Sequence, residues 1–276
     1  MTELLSYEFI RYALYSGVLA SLLCGLLGTF LVVRRLVFFS GGISHSAFGG
    51  LGLFYYLGLS PLLGGIISAL ISAGLLSTIP ESRRYSTDAF IGVLWATGMA
   101  IGIIFVSLTP GYAPNLLGYL FGNILTVRGL DIILLALLTF LNLLFLLLFY
   151  KELVAMALDE EFARVQGVPV RRLQTALLLI TALAVVLLIQ VVGIILVIAL
   201  FTIPPLIALR LTHDFRRVLF VSVLSSLVMT IGGLLLSFYL NLPSGPCIIV
   251  LGTFILLVVI LLNMMLRHKM RGEEVA

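Results

Sequence analysis

The sequence predicts an all-α, polytopic membrane protein, a bundle of eight or nine transmembrane helices with the N-terminus outside and the C-terminus in the cytoplasm. Three observations predict it: the composition, the apolar runs and the placement of the basic residues. The 276 residues are 62% apolar and only 10% charged, whereas about a quarter of a soluble domain is charged. No polar stretch is long enough for a soluble domain, so residues 1–276 should form a single transmembrane domain.

Apolar runs of the length needed to cross a bilayer, about 20 residues, recur along the chain. The predicted spans are 9–33, 43–58, 61–79, 89–108, 130–150, 173–190, 191–210, 218–240 and 246–266. The second run is short, and only Gln190 and Gly193 mark the junction between the sixth and seventh, so eight spans remain an alternative. Segment 112–126 is too short and too polar to cross, and we predict an interfacial or re-entrant helix there.

The basic residues give the orientation. With the N-terminus outside and nine alternating spans, 14 of the 16 lysines and arginines fall on the inside, and only Arg11 and Arg128 fall outside. Because cytoplasmic loops carry the excess of basic residues in multi-span proteins, this orientation is preferred. The positive charge therefore indicates membrane topology and not nucleic-acid binding. The N-terminus carries acids and no basic region, so we expect a true first span and no cleaved signal peptide.

Several functions lack their motifs. The chain has only two lysines and no G-x-x-x-x-G-K, so it should not bind ATP as a P-loop protein. It also lacks H-E-x-x-H and G-x-S-x-G. Cys24 and Cys247 lie in apolar runs without metal-ligand spacing and are expected to be small core residues.

The stretch FFSGGISHSAFGGLGLFYYLG, residues 38–58, combines an ionisable ring with six glycines. On a helix, His45, Gly49 and Gly52 share one face, and small residues form an adjacent stripe that favours close helix packing. An ionisable residue within the membrane indicates a functional site. A hydrogen-bonded packing histidine is the alternative.

Two further segments stand out. Lys151 to Gln174 is the longest hydrophilic stretch and lies inside; Asp159 and Glu160 open a short helical pattern that Gly167 and a following proline should end. It is either a solvated connector or a docking helix for a cytoplasmic partner. Pro204 and Pro205 remove two backbone donors from a span and should kink or break it, so this span should face the bundle interior.

These segments resemble, in the same order, the metal-type ABC transporter permeases, the membrane subunits of bacterial zinc, manganese and iron importers. The matching stretches are RRLVFFSGGISHSAFGG (34–50), the D-x-x-x-G at Asp88 to Gly92, LDEEFARVQGV (158–168), and VGIILVIALFTIPPLIA (192–208) with PSGP (243–246). The resemblance covers nearly the whole chain.

The resemblance implies a multi-pass protein of the bacterial inner membrane that forms a homodimer around a central path. It implies that the chain carries a divalent metal, has no cofactor of its own and is not an enzyme, since separate ATPase subunits bind ATP. The 158–168 helix would couple to the ATPase, and an extracytoplasmic metal-binding protein would deliver the cargo. The implied path residues are His45 as the metal contact, Ser44, Gly49, Asn115 and Asn123. The implied coupling residues are Asp159, Glu160, Ala163 and Gly167, with a helix break at Pro204 and Pro205.

The chain also departs from the family pattern. Gly41 stands where many members have an aspartate, Ala96 where zinc importers often have a histidine, and Asn115 and Asn123 where members have acids. Such a site should touch the metal in passing, or the cargo could be a chelated metal.

Two other functions are less well supported by the sequence. An ion-coupled secondary transporter of a small solute or chelated metal needs buried acids or bases, and no carboxylate sits mid-span, since Asp88 and Asp131 lie at span ends. A membrane-embedded hydrolase using His45 as its base lacks a suitably spaced nucleophile, because Ser44 and Ser46 point to other faces.

Overall fold

The computed structural model describes residues 8–78, 87–110, 122 and 127–273, with side chains to residue 265. These residues form helices and no β-strand. In chain order the helices are α1 (Glu8–Val33), α2 (Val37–Tyr56), α3 (Pro61–Thr78), α4 (Thr87–Leu108), α5 (Gly129–Leu148), α6 (Tyr150–Leu158), α7 (Glu160–Val165), α8 (Val170–Val192), α9 (Ile194–Leu211), α10 (Phe215–Leu240) and α11 (Ser244–Glu273).

Nine of the described helices, all except α6 and α7, are long and apolar enough to cross a membrane, which confirms the prediction of a polytopic helical bundle. Helices α1, α2, α8 and α9 form the interior, and α3, α4, α5, α10 and α11 surround them. Large apolar side chains on the outer helices are exposed, as expected of a surface that faces lipid. The second span begins at Val37 and not at residue 43, because its glycines and serines lower the hydropathy of a segment that is nevertheless helical.

The faint junction between the sixth and seventh spans is a sharp turn at one glycine. Gly193 has φ +82° and separates α8 from α9. Gly122 packs directly on this turn, since a Cβ added there would lie 2.2 Å from the Gly193 amide nitrogen. The rest of the predicted helix 112–126 lies outside the described residues.

Connections predicted to be cytoplasmic meet at one end of the bundle. Arg34, in the turn between α1 and α2, donates to Glu160 of α7. At the start of α10, Arg216 lies over the Tyr150 ring of α6. Asn263 of α11 donates to the Arg210 carbonyl near the end of α9. These contacts place the α1–α2 turn, the segment with α6 and α7, and the α9–α10 turn at the same end of the bundle. Their placement on the cytoplasmic side remains the prediction made from the sequence.

A kink or a break was predicted at Pro204 and Pro205; α9 does not break there, because it continues through both residues, and both are buried. Because Pro205 has no amide hydrogen, the Phe201 carbonyl lacks its usual intrahelical donor. Gly28 of α1 lies against this carbonyl, and a Cβ added to Gly28 would be 2.5 Å from its oxygen. The expectation that this span faces the bundle interior is confirmed, since Leu200 and Phe201 are fully buried.

We expect Gly28→Ala to destabilise the protein by about 1–3 kcal/mol, because α1 must move away from the Phe201 backbone. The measurement is thermal unfolding of the detergent-solubilised chain. The matched control is Gly74→Ala in α3, where an added Cβ meets nothing within 4 Å and a helical alanine is favoured by about 1 kcal/mol. Equal melting temperatures for the two variants would contradict the close contact between α1 and α9.

Candidate functional site

The segment around His45 is held by backbone contacts between helices. A Cβ added at Gly49 would lie 2.8 Å from the Gly98 carbonyl oxygen of α4, and one at Gly52 would lie 2.6 Å from that of Gly102. On another side of α2, a Cβ at Gly50 would lie 2.1 Å from the Gly64 carbonyl oxygen of α3. The glycines of α2 therefore serve close packing, as their spacing predicts. They fix α2 between α3 and α4.

His45 is buried, with 8% of its surface exposed, and its Nδ1 atom is enclosed without a hydrogen-bond partner among the described residues. Its ring stacks on the Trp95 indole of α4, with ring centroids 4.2 Å apart and planes 12° from parallel. A buried polar atom without a partner is costly and calls for an explanation. In the tautomer that carries its proton on Nε2, this atom would present a lone pair to a Lewis acid.

The hydroxyl groups beside His45 are occupied locally. Ser44 donates to the Ser40 carbonyl at 2.7 Å, and Ser46 donates to the Ile43 carbonyl at 3.1 Å. Ser44 also lines a narrow cavity between α2, α3 and α8. Neither serine hydroxyl directs its proton to His45.

The predicted path residues are thus partly assembled. His45, Ser44 and Gly49 lie in the buried part of α2, while Asn115 and Asn123 are outside the described residues. Within the described ranges, no three His, Cys, Asp or Glu side chains cluster as a metal site. Sequence reasoning missed Trp95, the only tryptophan of the chain. The sequence carried no signal for this contact, because the stacking partner of Trp95 lies on a different helix.

The predicted coupling segment, 158–168, contains the short helix α7, which follows directly on α6. The Asp159 carboxylate accepts a hydrogen bond from the Phe162 amide at 2.9 Å and caps α7. Gly167 ends it at φ +81°, with its amide bonded to the Arg164 carbonyl at 3.0 Å. The predicted N-terminal and C-terminal signals of this helix are therefore confirmed.

An ion pair between Arg34 and Glu160 holds α7 against the turn that precedes α2. Arg34, whose side chain is 7% exposed, donates to Glu160 at 2.7 Å. It also donates to the Met156 carbonyl and to the Gln174 side chain, each at 3.3 Å. Glu160 pairs with Arg164 as well, as the four-residue spacing predicts. Arg34 thereby ties the turn before α2 to three helices.

The outer surface of the segment presents three apolar side chains among charged ones such as Glu161 and Arg164. Leu158, Phe162 and Val165 are 68%, 57% and 85% exposed, respectively. Ala163 is fully buried and Glu160 turns toward Arg34, so these two predicted coupling residues support the helix from below. We call Leu158, Phe162 and Val165 the docking face.

The fold and these two sites define a class of protein: a multi-pass helical membrane protein with a buried ligand-type side chain and an exposed apolar face between spans. A family model agrees. The model of the ABC 3 transport family matches residues 6–263, and the chain belongs to that family.

Relatives of this chain extend over most of its length. It is 40% identical to an uncharacterized membrane protein of Synechocystis sp., covering 94% of this chain and 92% of the relative. It is 36% identical to a probable metal transport system membrane protein of Chlamydia pneumoniae, covering 83% and 80%. It is 28% identical to the manganese transport system membrane protein MntC of Halalkalibacterium halodurans, covering 91% and 86%.

A solved structure shares the fold. The PsaBC complex of Streptococcus pneumoniae with a Fab contains a chain of TM-score 0.82 and 26% identity, covering 93% of this chain and 92% of that chain.

Proposed function

We propose that the chain is the permease subunit of an ATP-binding-cassette importer that moves a divalent metal ion, zinc, manganese or iron, across a bacterial inner membrane. Family membership supports the permease role, and relatives named as metal and manganese transport proteins support the cargo. The metal is the transported substrate. The chain itself needs no cofactor and hydrolyses no ATP, which its separate ATPase subunits bind.

The observation that carries the cargo proposal is the free Nδ1 atom of buried His45. Imidazole nitrogen is a good ligand for the first-row transition metals. Since no three His, Cys, Asp or Glu side chains cluster within the described ranges, His45 would hold an ion weakly enough to release it onward, as conduction requires. Ser44 and Gly49, with Asn115 and Asn123, are proposed to line the same path.

The docking face is proposed to seat on the ATPase. An apolar surface of this kind at the end of a membrane bundle is unfavourable in water, and burial against a partner removes that cost. Because Arg34 ties this segment to the turn before α2, a push on α7 reaches the helix that carries His45. The bundle would thereby switch between outward-open and inward-open states as ATP is bound and hydrolysed.

The assembly is proposed to contain two copies of this chain around the path, with an extracytoplasmic metal-binding protein at the outer end. In this arrangement the N-terminus lies outside and the C-terminus inside, as the basic residues predict. The weakly buried face of α4, beside Trp95, is available for the second copy.

We expect His45→Ala to lower uptake at limiting metal by at least about tenfold, because a metal loses its ligand. The measurement is uptake of radioactive zinc and manganese into proteoliposomes that contain the whole transporter. The matched control is His213→Ala, which removes an exposed loop histidine. Unchanged uptake in His45→Ala, with normal ATP hydrolysis, would remove His45 from the path.

A further inference from the structure

A crevice runs between α3 and α4, and α2 forms its floor. Its volume is about 340 Å³, which is within the size range of small-ligand sites. Gly49 and Gly50 of α2 lie at the floor, and Ser72 of α3 and Thr97 of α4 line the two sides. The described residues that line the crevice do not include His45, so it is separate from the site described above.

Backbone contacts hold the crevice open. A Cβ added at Gly50 would overlap the Gly64 carbonyl oxygen of α3, and one added at Gly49 would lie 2.8 Å from the Gly98 carbonyl oxygen of α4. Both helices are therefore pinned to α2, yet α3 and α4 scarcely contact each other within the described ranges. Small residues in membrane helices usually let two helices approach. Here a small residue such as Ser72 faces a gap between helices instead.

The mouth of the crevice lies on the lipid-facing surface. Ile67 and Ile71 of α3 and Ile101 of α4 line it, and they are 46%, 58% and 40% exposed, respectively. Ile67 and Ile71 lie in the middle third of α3, which is long and apolar enough to span a membrane. The mouth therefore opens at the depth of the hydrocarbon core and not at the headgroups.

Water is a poor occupant of this crevice, because its few polar groups have partners in the protein backbone. Ser68 donates to the Ser46 carbonyl at 2.8 Å, and Ser46 donates to the Ile43 carbonyl at 3.1 Å. The hydroxyls of Ser72 and Thr97 can each turn to a carbonyl of their own helix, as serine and threonine do in helices. A buried water needs about three polar partners, and this lining is mainly aliphatic.

The shape of the crevice fits a hydrocarbon chain and not a helix. Along α3 it extends from Gly64 to Leu75, which corresponds to about 16 Å. This length is about half of the hydrocarbon core, the depth of one lipid leaflet. Spread over that length, the volume gives a mean cross-section of about 20 Å², whereas a helix needs about 80 Å². A chain of methylene groups is only about 4 Å across.

We propose that the crevice binds one acyl chain of a membrane phospholipid, which takes the place of a direct contact between α3 and α4. The chain packs against Ile67, Ile71 and Ile101 and restores the dispersion contacts that a gap forfeits. It lies against Ser46, the residue that follows His45, and thereby braces the helix that carries the buried imidazole. This lipid site does not depend on the proposed metal transport.

Lipid retention by the isolated chain tests the site. The full-length protein is purified in a mild detergent, and the phospholipid retained per chain is measured by native mass spectrometry. We expect one tightly held phospholipid, and we expect Thr97→Phe, which places a ring in the crevice, to lower its retention at least about tenfold. The control Ala100→Phe adds the same ring at an exposed position of α4 that does not line the crevice. Equal retention in all three proteins would overturn the proposal.

A second measurement requires no variant to fold. The unmodified chain is placed in nanodiscs with a phosphatidylglycerol that carries a photoreactive diazirine midway along one acyl chain. Excess unlabelled lipid is added, the sample is illuminated at increasing times, and labelled residues are identified by mass spectrometry. We expect label at Ile67, Ile71 and Ile101 to persist at least about tenfold longer than label at the exposed Phe254 and Leu261 of α11, since tight binding slows release.

Two outcomes of the labelling would contradict the site. Label that exchanges equally fast at all positions would indicate contact with bulk lipid only. Absence of label in the crevice would indicate that another occupant, such as a second copy of the chain, covers it. Neither experiment uses metal or the ATPase, so failure of the lipid site leaves the proposed function standing.

Discussion

Metal uptake should be lost when Phe162 is replaced by aspartate. Phe162 lies at the centre of the docking face, 57% exposed, between Leu158 and Val165. If the face seats on the ATPase, the aspartate would bury an unpaired charge at the contact. Truncation of a central aromatic in an interface costs about 2–4 kcal/mol, so binding of the ATPase should weaken by roughly 30-fold or more.

Two measurements check this result. Co-purification of the ATPase with the tagged permease reports docking, and uptake into proteoliposomes reports coupling. The control variant Phe162→Leu keeps an apolar side chain and should retain both activities. Thermal unfolding of Phe162→Asp should match the unmodified chain, because an exposed position contributes little to the fold. Normal docking and uptake in Phe162→Asp would refute the role of the docking face.

The second large effect is expected from Arg34→Gln. Arg34 is nearly enclosed and donates to α6, α7 and α8 at once. Its loss leaves Glu160 with only Arg164 and removes the donor of the Met156 carbonyl. Breaking a buried ion pair costs about 3–5 kcal/mol. Since Glu160 is 22% exposed and keeps a second partner, we expect about 1–3 kcal/mol here.

Arg34→Gln should lower the amount of metal transported per ATP even where the protein remains folded. With α7 detached from the turn before α2, ATP hydrolysis should continue while metal transported per ATP falls several-fold. The control Arg35→Gln changes the same charge at the adjacent exposed residue and should leave this ratio unchanged, since exposed charges contribute little. An equal loss in both variants would indicate a general effect of charge and not a mechanical link.

The helices of this protein could be predicted from the sequence because length and hydropathy decide membrane spans. The run 130–150 corresponds to α5 within two residues, and even the weak junction at Gly193 is correct. The start of α2 was missed since small and polar residues lower the hydropathy without preventing a helix. Helix α9 continues through Pro204 and Pro205, and Gly28 of α1 lies against the Phe201 carbonyl that Pro205 leaves without a donor, a contact that no local pattern in the sequence predicts.

The sites were less predictable. A six-residue helix is too short for its pattern to reveal which face is buried, so Ala163 and Phe162 could not be assigned to opposite sides. The partner of His45 comes from a different helix, and its distance depends on a glycine contact that no spacing rule provides. Trp95 could therefore be located only once α2 and α4 were placed together.

The self-paired serines of α2 have a kinetic consequence. Ser40, Ser44 and Ser46 each donate their hydroxyl proton to a backbone carbonyl of the same helix. Each hydroxyl oxygen keeps its lone pairs but is a neutral, weak ligand, so an ion leaving His45 on the proposed path would meet no charged side chain on α2. Shallow wells on either side of one ligand shorten the residence time of the ion. In the proposed transporter such a path would favour rapid turnover over storage, and the tight capture of scarce metal would fall to the proposed extracytoplasmic metal-binding protein.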